Sequence, residues 1–250
     1  MICVKSLSVG ERVLPLSFSC KAGEVVHVVG PNGSGKSTLL SALAGIMAFQ
    51  GYVKLDGQEL SALTIAELSL YRAYLAQSDK PVFSIPVFQY LSLSAPRHKK
   101  ASPELAEVIS QLSQLLNIDN KIHRSINQLS GGEWQRVRLL GVCLQVWPTL
   151  NPEAKLLILD EPSTALDVGQ DRLLYRLIDQ VAKQGITVIM ANHDLNRTLN
   201  QADHVLLLDK GTLVKQGSAE QVLQPNTISE VFHTEVILTR VNNKQVLVFD

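Results

Sequence analysis

An α/β fold, with a mostly parallel sheet and a helical subdomain set into it, is predicted by three observations in this 250-residue chain. Four short apolar runs, VVHVV (25–29), LLILD (156–160), ITVIM (186–190) and HVLLLD (204–209), have the unbroken character of strands buried on both faces. Helical stretches separate them, and the 3.6-residue period is clearest in DRLLYRLIDQVAK, within a helix expected over 168–183. Strands alternating with helices imply a parallel sheet covered on both sides.

The composition narrows the function before any motif does. An apolar fraction of 46% suits a globular protein that buries a core. The 23 basic and 23 acidic residues cancel, so no domain-wide basic field would hold nucleic acid, and no nucleic-acid partner is expected. Cys3, Cys20 and Cys143 have no CxxC spacing and read as reduced, small core residues. No run reaches the roughly 18 apolar residues that span a bilayer. The start, MICVKSLSVGE, lacks the apolar core of a signal peptide, so any membrane role is expected to come through partners.

Along the chain, the strand at 25–29 closes on glycine and a helix follows over about 36–44. From about 64 to 127 the pattern is mostly helical, punctuated by Pro81, Pro86, Pro96 and Pro103. This stretch is read as a helical subdomain inserted into the α/β core, with subdomain bounds of about 78–150 between core segments 1–75 and 155–250 of a single domain. Its segment SAPRHKKASPE reads as a solvated turn. LQVWPTLNPEAK, with Pro148 and Pro152, reads as a loop whose simplest role is surface decoration. At the C-terminus VILTRVNNKQVLVF alternates on either side of Asn242 and Asn243, a hairpin signal.

Three segments carry chemistry. GPNGSGKST runs through Gly30, Pro31, Asn32, Gly33, Ser34, Gly35, Lys36 and Ser37 to Thr38, and fits G-x-x-x-x-G-K-[ST] between a predicted strand and a predicted helix. Such a loop curls successive N–H groups around phosphate oxygens, and the helix N-terminus adds about half a positive charge. Lys36 would reach the β and γ phosphates, and the Ser37 hydroxyl would ligate Mg²⁺. In LLILDEP, Asp160 ends a strand and suits a water-mediated Mg²⁺ contact, while Glu161 is the candidate general base for a water attacking the γ-phosphate. A lone Asp-Glu pair commonly does no more than end a strand; beside the glycine loop it gains a partner. In LSGGEWQR, a serine and two glycines open a helix and make an anion site.

With these three motifs in this order, the chain resembles the nucleotide-binding subunits of ATP-binding-cassette transporters over nearly its whole length. The resemblance implies an ATPase of the P-loop type with an N-terminal antiparallel β part. It matches Gln77, in YLAQSD, to a glutamine that senses Mg²⁺ and the lytic water and touches a membrane subunit. It matches Asp167, in STALD, to a loop that communicates across a dimer, and His193, in ANHDL, to a switch histidine that reads the γ-phosphate. His27, His98, His123, His204 and His233 match no motif and receive no role.

The resemblance also assigns the anion. Ser130, Gly131 and Gly132 would close over the γ-phosphate of ATP held by a second copy, two chains pairing head to tail with ATP and Mg²⁺ at the seam. The implied partners are polytopic permease subunits and a periplasmic or surface substrate-binding protein, with the ATPase at the cytoplasmic face of the inner membrane. The segment SDKPVFSIPVFQYLSL, with Phe83, Val87, Phe88 and Tyr90, would lie beside the groove that receives a permease helix. Two departures stand out. Where the family stacks an aromatic ring on adenine, LSVGERVLPLSF offers Val9 and no ring before Phe18, so weak discrimination between ATP and GTP is expected. The lengthened connection LQVWPTLNPEAK and the spelling NQLSGGEWQR resemble ATPases that drive cobalamin import, with those of ferric-siderophore or haem importers next. A soluble, non-transport ATPase of the family is the alternative from another class, and no sustained heptads support it.

Overall fold

The computed structural model describes residues 1–77, 84–100, 102–242 and 244–250. The chain opens with an antiparallel pair, β1 (Ile2–Val9) and β2 (Val13–Cys20). β3 (Val25–Val29) leads through a tight loop into α1 (Lys36–Leu43). β4 (Gln50–Leu55) and the short β5 (Gln58–Glu59) then complete an antiparallel sheet in the order β2-β1-β4-β5. α2 (Ile65–Tyr71) runs directly into β6 (Arg72–Leu75), and three helices follow, α3 (Val87–Ser94), α4 (Pro103–Leu115) and α5 (Gly131–Val146). The chain returns through β7 (Leu156–Asp160), α6 (Val168–Lys183), β8 (Thr187–Ala191), α7 (Leu195–Gln201), β9 (His204–Asp209) and β10 (Thr212–Gly217). Two short helices, α8 (Ala219–Val222) and α9 (Pro225–Phe232), precede a hairpin of β11 (Val236–Val241) and β12 (Lys244–Phe249).

The central sheet has the order β10-β9-β3-β8-β7-β6, all parallel except β10. Its four inner strands, β9, β3, β8 and β7, are mostly apolar because each feeds at least two cores. Val26, Val28, Ile158 and Ile189 pack with α1 and the antiparallel sheet, whereas Leu157, Leu159, Val188 and Met190 pack with α3–α6. On β9, Val205 and Leu207 turn to a third core with α7–α9 and the hairpin. Cys20 and Cys143 are buried and Cys3 is half-buried; burial pushes the Cys20 and Cys143 thiols up to about 12.

Three details depart from the sequence reading. Residues 72–75 form an edge strand of the core sheet, although the pattern from 64 onward reads as helical. The interruption was Arg72, which is buried because its Nε donates to Ala44 O at 2.7 Å, at the negative C-terminal end of α1. The third strand begins at Thr187, a residue after the apolar run does, and ends at Ala191. The connection 147–155 is packed and not decorative: Trp147, Leu150 and Ala154 are buried, and Asn151 Nδ2 donates to Leu70 O at 2.9 Å and Gln145 O at 2.8 Å.

Candidate functional site

The phosphate loop grows out of the centre of the sheet. At Gly30 φ is 151°, and a Cβ there would lie 2.1 Å from Leu208 O on β9, so no side chain fits. Ser34 N donates to Pro31 O at 3.2 Å and closes the turn, and Gly35 stands at the N-cap of α1. Lys36, 5% exposed, donates from Nζ to Gly30 O at 2.8 Å and Pro31 O at 3.0 Å. Burial lowers its pKa, against the opposing pull of Glu161 and Asp160. Ser37 Oγ donates to Asp160 Oδ1 at 3.0 Å. Burial raises the pKa of Asp160, and the Ser37 hydrogen bond opposes it. A cavity of 340 Å³ opens here, lined by Asn32, Gly33, Gly35, Lys36, Ser37 and Thr38, with Glu161 and Arg12 at its margin.

Glu161 leaves the end of β7 with φ of 49°, a left-handed conformation that is uncommon for a non-glycine residue and concentrates at functional sites. Its carboxylate is held from two sides: Oε2 accepts from Gln77 Nε2 at 2.5 Å, and Oε1 is hydrogen-bonded with His193 Nε2. Gln77, Asp160, Glu161 and His193 are therefore brought together beside the cradle although they come from three points of the sequence. His193 sits on a short, pinned loop. Before it, the buried Asn192 takes a backbone bond to Val28 O at 3.0 Å and donates from Nδ2 to Tyr175 OH at 2.8 Å. After it, Asp194 caps α7 by accepting from Arg197 N at 2.9 Å. Beneath the loop lies His27, wholly buried, with Nδ1 3.0 Å from Thr198 Oγ1 and 3.3 Å from Asn192 Nδ2. Burial pushes the His27 pKa down to about 3.

The signature segment is built differently. Ser130 is the N-cap of α5: its Oγ accepts from Glu133 N at 3.2 Å, and its N donates to Glu133 Oε2 at 2.8 Å. That backbone bond, followed by Lys121 Nζ at 2.9 Å, pulls the Glu133 carboxyl down to about 2. A Cβ on Gly132 would sit 2.4 Å from Gln170 Oε1 and 3.1 Å from Ala165 O, so the helix start presses on the loop that follows Glu161. At Gly131 the nearest atom is Ala165 Cβ at 3.8 Å, which leaves room on the outer side. Ser130, Gly131 and Gly132 do not line the cavity of Lys36. Asp167 caps α6, accepting from Gln170 N at 2.8 Å.

Of the apolar residues after Gln77, Val87 is buried, Tyr90 stacks edge-on against Trp134 with centroids 4.9 Å apart, and Phe88 is 46% exposed. Phe83 lies outside the described residues. Three residues near the site received no role in the sequence reading: Arg12, which lines the cavity, Gln135 inside the LSGGEWQR segment, and Arg138 just past it, the last two on the buried side of α5. A charge inside the segment where an aromatic is missing was the available signal for Arg12. Gln135 and Arg138 stand among Glu133, Arg136 and the apolar residues of the same helix, and nothing in that pattern singled them out.

A glycine-loop cradle, a strand-end Asp-Glu pair and a histidine facing that glutamate define a nucleotide-hydrolysing protein. The chain belongs to the ABC transporter family, whose profile matches residues 13–164. It is an ATPase of that family and binds ATP. It is 59% identical over 251 residues, covering 100% of both chains, to the vitamin B12 import ATP-binding protein BtuD of Vibrio atlanticus. The protein of that name from Vibrio cholerae is 57% identical, again over 100% of both. Among solved structures, cbiO1 from Clostridium perfringens, part of the ABC transporter complex cbiONQ, superposes with a TM-score of 0.76 at 26% identity over 92% of each chain. A dimeric ATP-binding cassette bound to ADP and phosphate shares the fold, with a TM-score of 0.74 at 21% identity over 88% of this chain and 99% of that one.

Proposed function

We propose that this chain is the ATP-hydrolysing subunit that powers import of vitamin B12 through a separate membrane permease. The observation that carries the cargo is full-length identity of 57–59% to proteins named for that import. The residues of the site supply the engine. Backbone donors of residues 30–38 and Lys36 hold the phosphates, the charged ligand replacing the neutral carbonyls that Lys36 now contacts. Glu161 accepts the proton of the attacking water, and His193 and Gln77 fix its carboxylate and meet the γ-phosphate.

The Ser37 hydroxyl, the Asp160 carboxylate through water, and the amide oxygen of Gln77 would make an all-oxygen set of the kind that suits Mg²⁺. Held there with nucleotide, Mg²⁺ would offset the negative charge that develops on the phosphates. Ser130, Gly131 and Gly132 meet the γ-phosphate held by a second copy, so ATP closes a head-to-tail dimer and hydrolysis reopens it, with Asp167 at the seam.

The helical segment of about 78–150 acts as a subdomain that carries the signature motif and receives the permease. A 490 Å³ groove bounded by Leu70, Leu93 and Pro96 fits a permease helix, since Leu70 is 43% and Leu93 59% exposed. Among the described residues no helix is long and apolar enough to cross a membrane. The chain would work at the cytoplasmic face of the inner membrane, with a periplasmic or surface protein delivering cargo to the permease. Deleting the gene should abolish uptake of labelled vitamin B12 and leave ferric-siderophore uptake intact. The reverse pattern would remove the cargo assignment.

A further inference from the structure

Behind the site, α5 makes contacts that its packing role does not require. Gln135 and Arg138 lie five and eight residues past Ser130 on that helix, and are 7% and 8% exposed. Gln135 Nε2 donates to the carbonyl of Pro162, the residue after Glu161, at 2.9 Å. Arg138 Nη1 donates to Gln135 Oε1 at 3.0 Å, and its Nη2 donates to the carbonyl of Ala76, the residue before Gln77. Gln77 in turn donates to Glu161. A closed ring results: helix α5, the backbone beside Glu161, Glu161 itself, Gln77, the backbone beside Gln77, and back to α5.

Two features make the ring a strut. Its contacts are to main-chain carbonyls adjacent to the reacting side chains, so displacing α5 re-aims both Glu161 and Gln77. Its members are also buried polar groups in a helix that buries Val137, Leu139, Leu140 and Val142 beside them, where apolar side chains would pack at lower desolvation cost. An α-helix of 16 residues transmits a push at its first turn to residues about 7 to 12 Å along its axis. Ser130 to Gly132 are the cap and first residues of α5, and Gly132 already lies close against the loop after Glu161.

We infer that Gln135 and Arg138 are positioning residues that couple the two nucleotide sites: a γ-phosphate presented to Ser130 by the second copy displaces α5, and the strut carries that displacement to Glu161 and Gln77 of the chain that senses it. This rests on the proposed reading of Ser130 as a contact to the partner's ATP. Each site then fires faster, by about tenfold, when the other is loaded, and hydrolysis is cooperative in ATP.

The test uses the full chain. ATP binding, melting temperature, ATP-driven dimer closure in the Glu161→Gln background and the Hill coefficient of hydrolysis are measured for the native protein, Arg138→Met, Arg138→Lys and Gln135→Leu. Arg138→Lys keeps the charge but has no fork to span two acceptors, and it decides the matter should Arg138→Met fail to fold. Expected are unchanged ATP binding, retained closure, a Hill coefficient falling towards one, and turnover lower by about tenfold. Native Hill coefficients in the folded variants, or turnover lost only in step with melting temperature, would overturn the strut. A native protein that never closes on ATP would overturn the strut together with the reading of Ser130.

Discussion

The phosphate cradle and the signature segment are both glycine-rich openings of a helix, yet one is finished and the other is not. In the cradle, Lys36 is buried between loop carbonyls, Ser37 is bonded to Asp160, and Glu161 stands at the cavity margin. At the signature segment, Ser130 and Gly131 are exposed, and the positive helix end is capped from within by Ser130 and Glu133. The same chemistry is thus complete in one place and half-built in the other. On the proposed reading, the missing half comes from a second copy.

The strongest way to break this contrast is at the base. Glu161→Gln should keep ATP binding, trap the closed dimer and cut turnover by about 10²- to 10⁴-fold, because a neutral amide cannot take the water's proton. Single-turnover assays with gel filtration read both effects. Next come the two halves: Lys36→Ala should lose ATP binding and turnover together, whereas Ser130→Arg should lose turnover while the monomer binds ATP nearly as before, as equilibrium binding would report.

A smaller effect concerns the floor beneath His193. His27 has a folded pKa lowered to about 3 from 6.5, so the folded state refuses a proton that the unfolded chain accepts. The stability this gives is present above pH 6.5 and is lost as pH falls from 6.5 towards 3. Urea melts at pH 7 and pH 5 should show the native protein losing about 2 kcal/mol more than His27→Gln over that interval. The smallest expected effect is on base choice. With Arg12 lining the cavity and no aromatic ring in that segment, GTP should support turnover within about fivefold of ATP, because a guanidinium plane would stack on either purine.

The two regions also differ in how plainly the sequence displays them. The cradle is legible because its glycines answer to backbone geometry: Gly30 is fixed by the carbonyl of Leu208, and the strand and helix on either side follow from apolar period alone. The convergence of Gln77, Glu161 and His193 was legible through motif order, since periodicity cannot bring residues 77, 161 and 193 together. What stayed hidden depends on tertiary partners. β6 was masked by Arg72, whose charge is answered by a helix end 28 residues away, and the 147–155 connection hides a buried tryptophan behind two prolines. Arg138 gives no sign in the sequence that its acceptor is the carbonyl beside Gln77.

The claim that the signature segment is half of another chain's site can be tested most directly by mixing two inactive chains. In a dimer of Lys36→Ala with Ser130→Arg, one seam pairs an intact Lys36 with an intact Ser130, and the other seam has neither. Turnover by the mixture well above that of either variant alone is the expected result. A mixture as inactive as its two components would contradict it.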